Sequence, residues 1–136
     1  MAKHPIVGQY TNLEEVREAM KTNPWAFVYA TDELRDNREL ALEAVALNGS
    51  TLAQASERLR GDREVVLAAV SQFGGAWQWI APELKNDLEI ALAALNSDRY
   101  HWVFFWLPDE LRAHPDVRNR FLAIGNSTSI VLSYNK

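Results

Sequence analysis

Apolar residues recur along this chain on two periods, one short and one long. From Asp62 onward, Val65, Val66, Ala69, Val70 and Phe73 fall at the three- and four-residue spacings of one helical face. Leu67 lies off that face, and Leu42 and Leu92 repeat its position, so this helix is expected to be buried on two sides. A turn at Gly74-Gly75 follows. Trp77, Ile80, Ala81 and Leu84 then share a face, which predicts a second helix of about ten residues. The whole hairpin recurs with a long period of about 25 residues. DREVVLAAVSQFGGAWQWIAPELKN overlays NRELALEAVALNGSTLAQASERLRG before it, and DLEIALAALNSDRYHWVFFWLPDELRA after it with two residues inserted. Units this short cannot bury their own apolar faces, so they must stack around a shared core.

Aligned on Leu34, Leu59, Leu84 and Leu111, the units run over 12–36, 37–61, 62–86 and 87–113, with a half unit at 114–125 and a tail at 126–136. The expected fold is an all-α stack of about four helical hairpins, roughly nine short helices forming one small solenoid domain. Each unit opens with a polar residue three before an acid. The pairs Asn12–Glu15, Asp36–Glu39, Gly61–Glu64 and Asn86–Glu89 read, apart from the glycine, as capping boxes, the first one position out of step with the others. First helices stop at Asn23-Pro24, Asn48-Gly49, Gly74-Gly75 and Asn96-Ser97-Asp98, where glycine and asparagine permit a left-handed helix end. The second segments place Phe27, Ala30 and Leu34, then Leu52, Ala55 and Leu59, then Trp102, Phe105 and Leu111 in the positions of the Trp77 face. These are the expected core. Pro115 starts a last helix ending near Gly125. The alternating tail, with Ile130, Leu132 and Tyr134, either pairs with the extended piece Ile6–Tyr10 or folds over the last helix.

Composition narrows the chemistry. The 136 residues include no cysteine, so disulfides and thiolate sites are excluded. The N-terminus lacks the apolar core of a signal peptide and no stretch approaches a membrane span, which predicts a cytoplasmic protein. Net charge is −4, with six acids and three bases in 12–36 and no basic block of the kind direct nucleic-acid binding needs. His4, His101 and His114 sit apart and complete no metal set. No catalytic triad, phosphate loop or cofactor motif is present, which predicts a non-enzymatic protein without a cofactor.

The pattern D-R-E-x-V-L-A-A-V, a glycine turn and a short aromatic helix ending E-L-K/R-N-D resembles the domain of unknown function 4116 family, most strongly over residues 37–97. That resemblance implies tandem helical repeats, found mostly in bacterial and some protist and viral proteins and sometimes within secreted effectors delivered to a host cell. It implies no activity and supplies no site residues. The chain departs from the pattern around Trp106-Leu107 and in the aromatic run 100–106.

The residues offered for function are aromatics off the core face. At ~100° per residue, Trp79 lies near the side of its helix opposite Trp77. Tyr29, Gln54, Trp79 and Phe104 share that repeat position, with Trp106 beyond them. They either form an exposed stripe that binds a protein partner or finish the core between neighbouring units. Residues 100–106, apolar all round, also suit a homodimer seam. Two further readings stand beside the interaction module. One is an acidic inhibitor or decoy that blocks a nucleic-acid-handling enzyme, as a phage or mobile-element protein would. The other is an enzyme or small-ligand binder with a pocket between repeats near Tyr100, His101 and Trp106.

Overall fold

The computed structural model describes residues 8–99 and 101–125. Among them the regular secondary structure is entirely helical: α1 (Leu13–Met20), α2 (Asp32–Arg35), α3 (Arg38–Leu47), α4 (Glu57–Arg60), α5 (Arg63–Gln72), α6 (Leu88–Ser97), α7 (Val103–Trp106), α8 (Asp109–Ala113) and α9 (Pro115–Gly125), with 3₁₀ helices at Pro24–Tyr29, Gly49–Gln54, Gly74–Trp79 and Pro82–Leu84. The longer helices α1, α3, α5, α6 and α9 pack in that order as one layer. The 3₁₀ helices and α7 pack side by side as a second layer. A single apolar cluster runs between them, including Val16, Leu40, Val65, Ile90 and Val117 from the first layer and Phe27, Leu52, Trp77 and Phe104 from the second. Leu59 and Leu111 are buried in it, and Leu34 and Leu84 pack against it half-buried.

The second segment of each unit is not the continuous ten-residue helix its spacing predicts. It is a 3₁₀ helix or a single α-turn, then a sharp break, then another short turn. The break falls at Ala30, Ala55, Ile80 and Leu107, all extended, with ψ of 162°, 157°, 156° and 148°. Each of these side chains is buried. The cause is local. Thr31 and Ser56 use their hydroxyls to accept the Leu34 and Leu59 N–H groups, starting a new turn. In the fourth unit Pro108 disfavours helical geometry at Leu107, and in the third Pro82 does so at Ala81, just past the break.

Helix starts are also shifted by one residue. The caps are Asn12, Asn37, Asp62 and Asp87, so Asn12–Glu15 has the true register and Asp36, Gly61 and Asn86 lie one position too early. The helix ends are not left-handed. Asn48 and Phe73 are extended, with φ of −155° and −147°. Positive φ is confined, among described residues, to Gly8 and His101. The asparagines serve instead as caps of the next segment: Asn23 accepts from the Trp25 N–H and Asn48 from the Ser50 N–H. The glycine after them answers a packing need. A Cβ on Gly49 or Gly74 would collide with the Ala69 or Ala94 carbonyl oxygen of the following unit.

Units are joined by repeated polar contacts. The backbone N–H groups of Thr31, Ser56 and Ala81 donate to the carbonyls of Tyr10, Arg35 and Arg60 at 3.0–3.1 Å. Tyr10 thus stands where a preceding unit would place its basic residue, bridged in parallel to Ala30. The tail, read as pairing with Ile6–Tyr10 or folding over the last helix, lies with residues 6 and 7 outside the described residues. Arg38 donates to Asp62 (2.7 Å) and Glu64 (2.8 Å), and one unit later Arg63 pairs with Asp87 and Glu89, both at 2.9 Å. Where leucine replaces that arginine, at Leu13 and Leu88, the facing caps are the uncharged Asn37 and the imidazole of His114, which accepts from the Asp116 N–H. Both ends of the first layer are polar. Glu15 is exposed where Leu40, Val65, Ile90 and Val117 are buried, and Arg118 is exposed where Val16, Ala41, Val66 and Ala91 are buried.

Candidate functional site: an aromatic face and cleft at the fourth unit

The fourth unit departs from the repeat by two residues, and their location governs the site. Counting back four from each unit's leucine reaches Ala30, Ala55, Ile80 and Leu107 without a gap. The extra residues therefore lie between Asp98 and Trp102, not around Trp106-Leu107. Val103, Phe104 and Leu107 take the core positions of Ala76, Trp77 and Ile80. Trp102 and Phe105, expected in the core, are instead exposed, at 59% and 52%. Phe104, expected in the aromatic row, is buried and stacks on Phe121 of α9 with centroids 4.0 Å apart and planes 14° from parallel. Trp106 replaces it in the row.

The row is thus Tyr29, Gln54, Trp79 and Trp106, brought side by side by the contacts between successive second-layer segments. Its first three members are half-buried, and only Trp106 is exposed. Trp79 lies against the core and near Phe73, with ring centroids 6.3 Å apart. Phe73, assigned by periodicity to the buried face of α5, sits past the helix end and is partly exposed. Its ring lies directly over Gly75, where any Cβ would overlap the ring carbons.

Between the third and fourth units these departures open a cleft of about 320 Å³. Phe73, Trp102 and Trp106 supply its apolar walls, and Gln72, Gly75, Gln78, Ser97, Asp98 and Arg99 complete the lining. Its existence follows from two substitutions in the repeat pattern. Gly75 stands where Trp25, Ser50 and Trp102 carry side chains, and two extra residues enter the chain between Asp98 and Trp102. The Asp98 carboxylate accepts from the Val103 N–H at 2.7 Å and so anchors α7. His101, within the extension, holds φ at 62°, a left-handed conformation uncommon outside glycine. His101 is not part of the lining, and Tyr100 lies outside the described residues.

A second, polar cleft of about 450 Å³ lies between α4 and the Pro82–Leu84 turn, lined by Glu57, Arg58, Arg60 and Glu83 around Ile80 and Pro82. Arg60 belongs to a repeated basic position. Arg35 there donates to the Ala30 and Gln54 carbonyls, and Lys85 donates to the Trp77 carbonyl at 3.1 Å with its ammonium 3.8 Å above the Trp77 ring. Burial pushes the Lys85 ammonium below its ordinary range. Arg35 thus joins the first unit to the second, while Lys85 is held within its own unit. No group of three or more His, Asp or Glu side chains able to hold a metal occurs among the described residues, and no described helix is long and apolar enough to cross a membrane.

Sequence reasoning placed Phe73, Trp102 and Phe105 on core faces, the latter two also within the 100–106 seam, and did not single out Arg99. The signal for the shifted register was present in the constant spacing of four residues before each leucine.

Fold and site together define an α-helical tandem-repeat domain with one irregular, aromatic-rich unit. The chain belongs to the family described as Domain of unknown function (DUF4116), which matches residues 12–60 and 62–112 as two tandem copies, each covering two of the units above. No curated protein matches the chain. No solved structure matches it either.

Proposed function

We propose that this chain is a non-catalytic protein-interaction module whose partner docks on the aromatic face of the fourth unit. One observation carries the reading. Of six large apolar side chains exposed among the described residues, four gather there: Phe73, Trp102, Phe105 and Trp106. Aromatic anchors of this kind are the usual energetic centres of protein interfaces. At 37–59% exposure the four still offer roughly 300–450 Å² to a partner, about half of the ~800 Å² per partner that a stable interface needs. The acids, by contrast, are largely engaged. Asp62, Glu64, Asp87 and Glu89 are paired with arginines of the neighbouring unit, which weakens the case for an acidic decoy.

The test compares the parent with a Trp102→Ala, Phe105→Ala double variant in affinity capture from the native host, with light scattering to read self-association. The reading predicts a melting temperature changed by only a few degrees and at least a tenfold loss of captured partner, or of dimer if the partner is a second copy. It also predicts that capture survives about 0.5 M salt, where exposed ionic contacts are screened within a few ångströms. Undiminished capture by the variant contradicts the aromatic face. Capture abolished by salt favours the decoy.

A further inference from the structure

We propose that the cleft between the third and fourth units is a binding site for a small free ligand built as a planar ring carrying one anionic group, a carboxylate or a phosphate. The cleft, at about 320 Å³, falls at the lower end of the range for small-molecule pockets, and its walls are the rings of Phe73, Trp102 and Trp106. Such walls favour a flat, polarizable group that can stack.

The polar lining decides the rest, because most of it is already committed. The Ser97 hydroxyl donates to the Val70 carbonyl. The Asp98 carboxylate holds the N-terminus of α7. The Gln78 amide nitrogen donates to the Gly75 carbonyl at 3.0 Å, and the Gln72 amide oxygen accepts from the Gly49 N–H at 2.5 Å. Groups that still donate include the amide nitrogen of Gln72 and the guanidinium of Arg99, the cation of the described lining. Arg99 is exposed at the cleft and forms no hydrogen bond or salt bridge with any described residue. By contrast Arg17, Arg35, Arg38, Arg58, Arg63 and Arg112 all pair with carboxylates. A cation and a spare amide donor beside aromatic walls select a ring with an anionic substituent, which a guanidinium meets with two parallel hydrogen bonds. The interaction reading rests on Trp102, Phe105 and Trp106; this proposal turns on Arg99, so the two fail separately.

The test uses the full chain and three probes, indole-3-acetate, indole-3-acetamide and inorganic phosphate, followed by calorimetry and saturation-transfer NMR. The proposal predicts saturable one-to-one binding of indole-3-acetate at about millimolar Kd or tighter, the range open to a ligand of that size. It predicts about threefold to tenfold weaker binding of the acetamide, and no detectable binding of phosphate alone. Arg99→Gln removes the preference for the acid while leaving the acetamide affinity in place. Trp106→Ala weakens both indoles by at least tenfold. Arg99→Gln melts within a few degrees of the parent, since its side chain is exposed, and Trp106→Ala, at a side chain 39% exposed, melts lower but still as one cooperative transition. Equal affinity for acid and amide in the parent, a preference that survives Arg99→Gln, or no saturable binding of either indole overturns the proposal.

Discussion

Single residues in this fold are constrained mainly by how closely neighbouring units approach. At Gly74 an added methyl group would overlap the Ala94 carbonyl oxygen and the Asp98 backbone. Gly74→Ala is therefore expected to cost ~1–3 kcal/mol as overpacking, read from urea unfolding. Gly61 makes the contrast. It ends α4 at φ −102°, which any residue adopts, and its added Cβ would meet only ordinary contacts. Gly61→Ala should be neutral or stabilise by ~0.4–1 kcal/mol through the unfolded chain. The tryptophans divide the same way. Trp77 is 5% exposed and forms the centre of the second layer, so Trp77→Ala should lose ~3–5 kcal/mol. Trp106→Ala, at a side chain 39% exposed, should lose less, ~1–2 kcal/mol. Comparable losses at 77 and 106 would mean that Trp106 is core.

At the scale of elements, the longer helices were legible and the second segments only half so. Buried pairs such as Val65–Val66 and Ala69–Val70 carry the helical period plainly. The segments at Pro24–Tyr29, Gly49–Gln54 and Gly74–Trp79 share the same apolar spacing over too few residues to separate a 3₁₀ turn from an α-turn. Their breaks were written in Thr31, Ser56, Pro82 and Pro108, signals of chain direction that periodicity does not weigh. Helix starts carry the cross-unit ion pairs, and these make stability depend on pH. The hydrogen bonds from Arg38 hold the Asp62 carboxyl below its ordinary 3.8, and those from Arg63 do the same at Asp87. Such carboxyls bind protons less readily folded than unfolded. Their stabilisation is complete above about pH 4 and is lost as pH falls through the lowered folded values. An Asp62→Asn, Asp87→Asn variant keeps its caps, as Asn12 and Asn37 show. It should lower the melting temperature at about pH 7 by a few degrees yet narrow the further drop on going to about pH 3. An unchanged drop would remove the ion pairs from the acid response.

The whole molecule is a row of near-identical units closed by polar faces at Glu15 and Arg118, with its irregularity concentrated at the fourth. That distribution explains how much of the site could be read in advance. Four leucines and the caps define the stack, so the architecture follows from pattern. The cleft does not, because it depends on where two extra residues enter the chain, and a shift of two exchanges the buried and exposed rings of YHWVFFW. The whole site turns on that register, with Phe104 inside and Trp102 and Trp106 outside. The most direct measurement is fluorine NMR of the chain labelled with 5-fluorotryptophan, titrated with a soluble paramagnetic agent. The five resonances, assigned by single Trp→Phe variants, should broaden most at Trp102 and least at Trp77, with Trp106 nearer the former. A Trp102 resonance protected as well as that of Trp77 would place it in the core, restore the unshifted register and contradict the site described above.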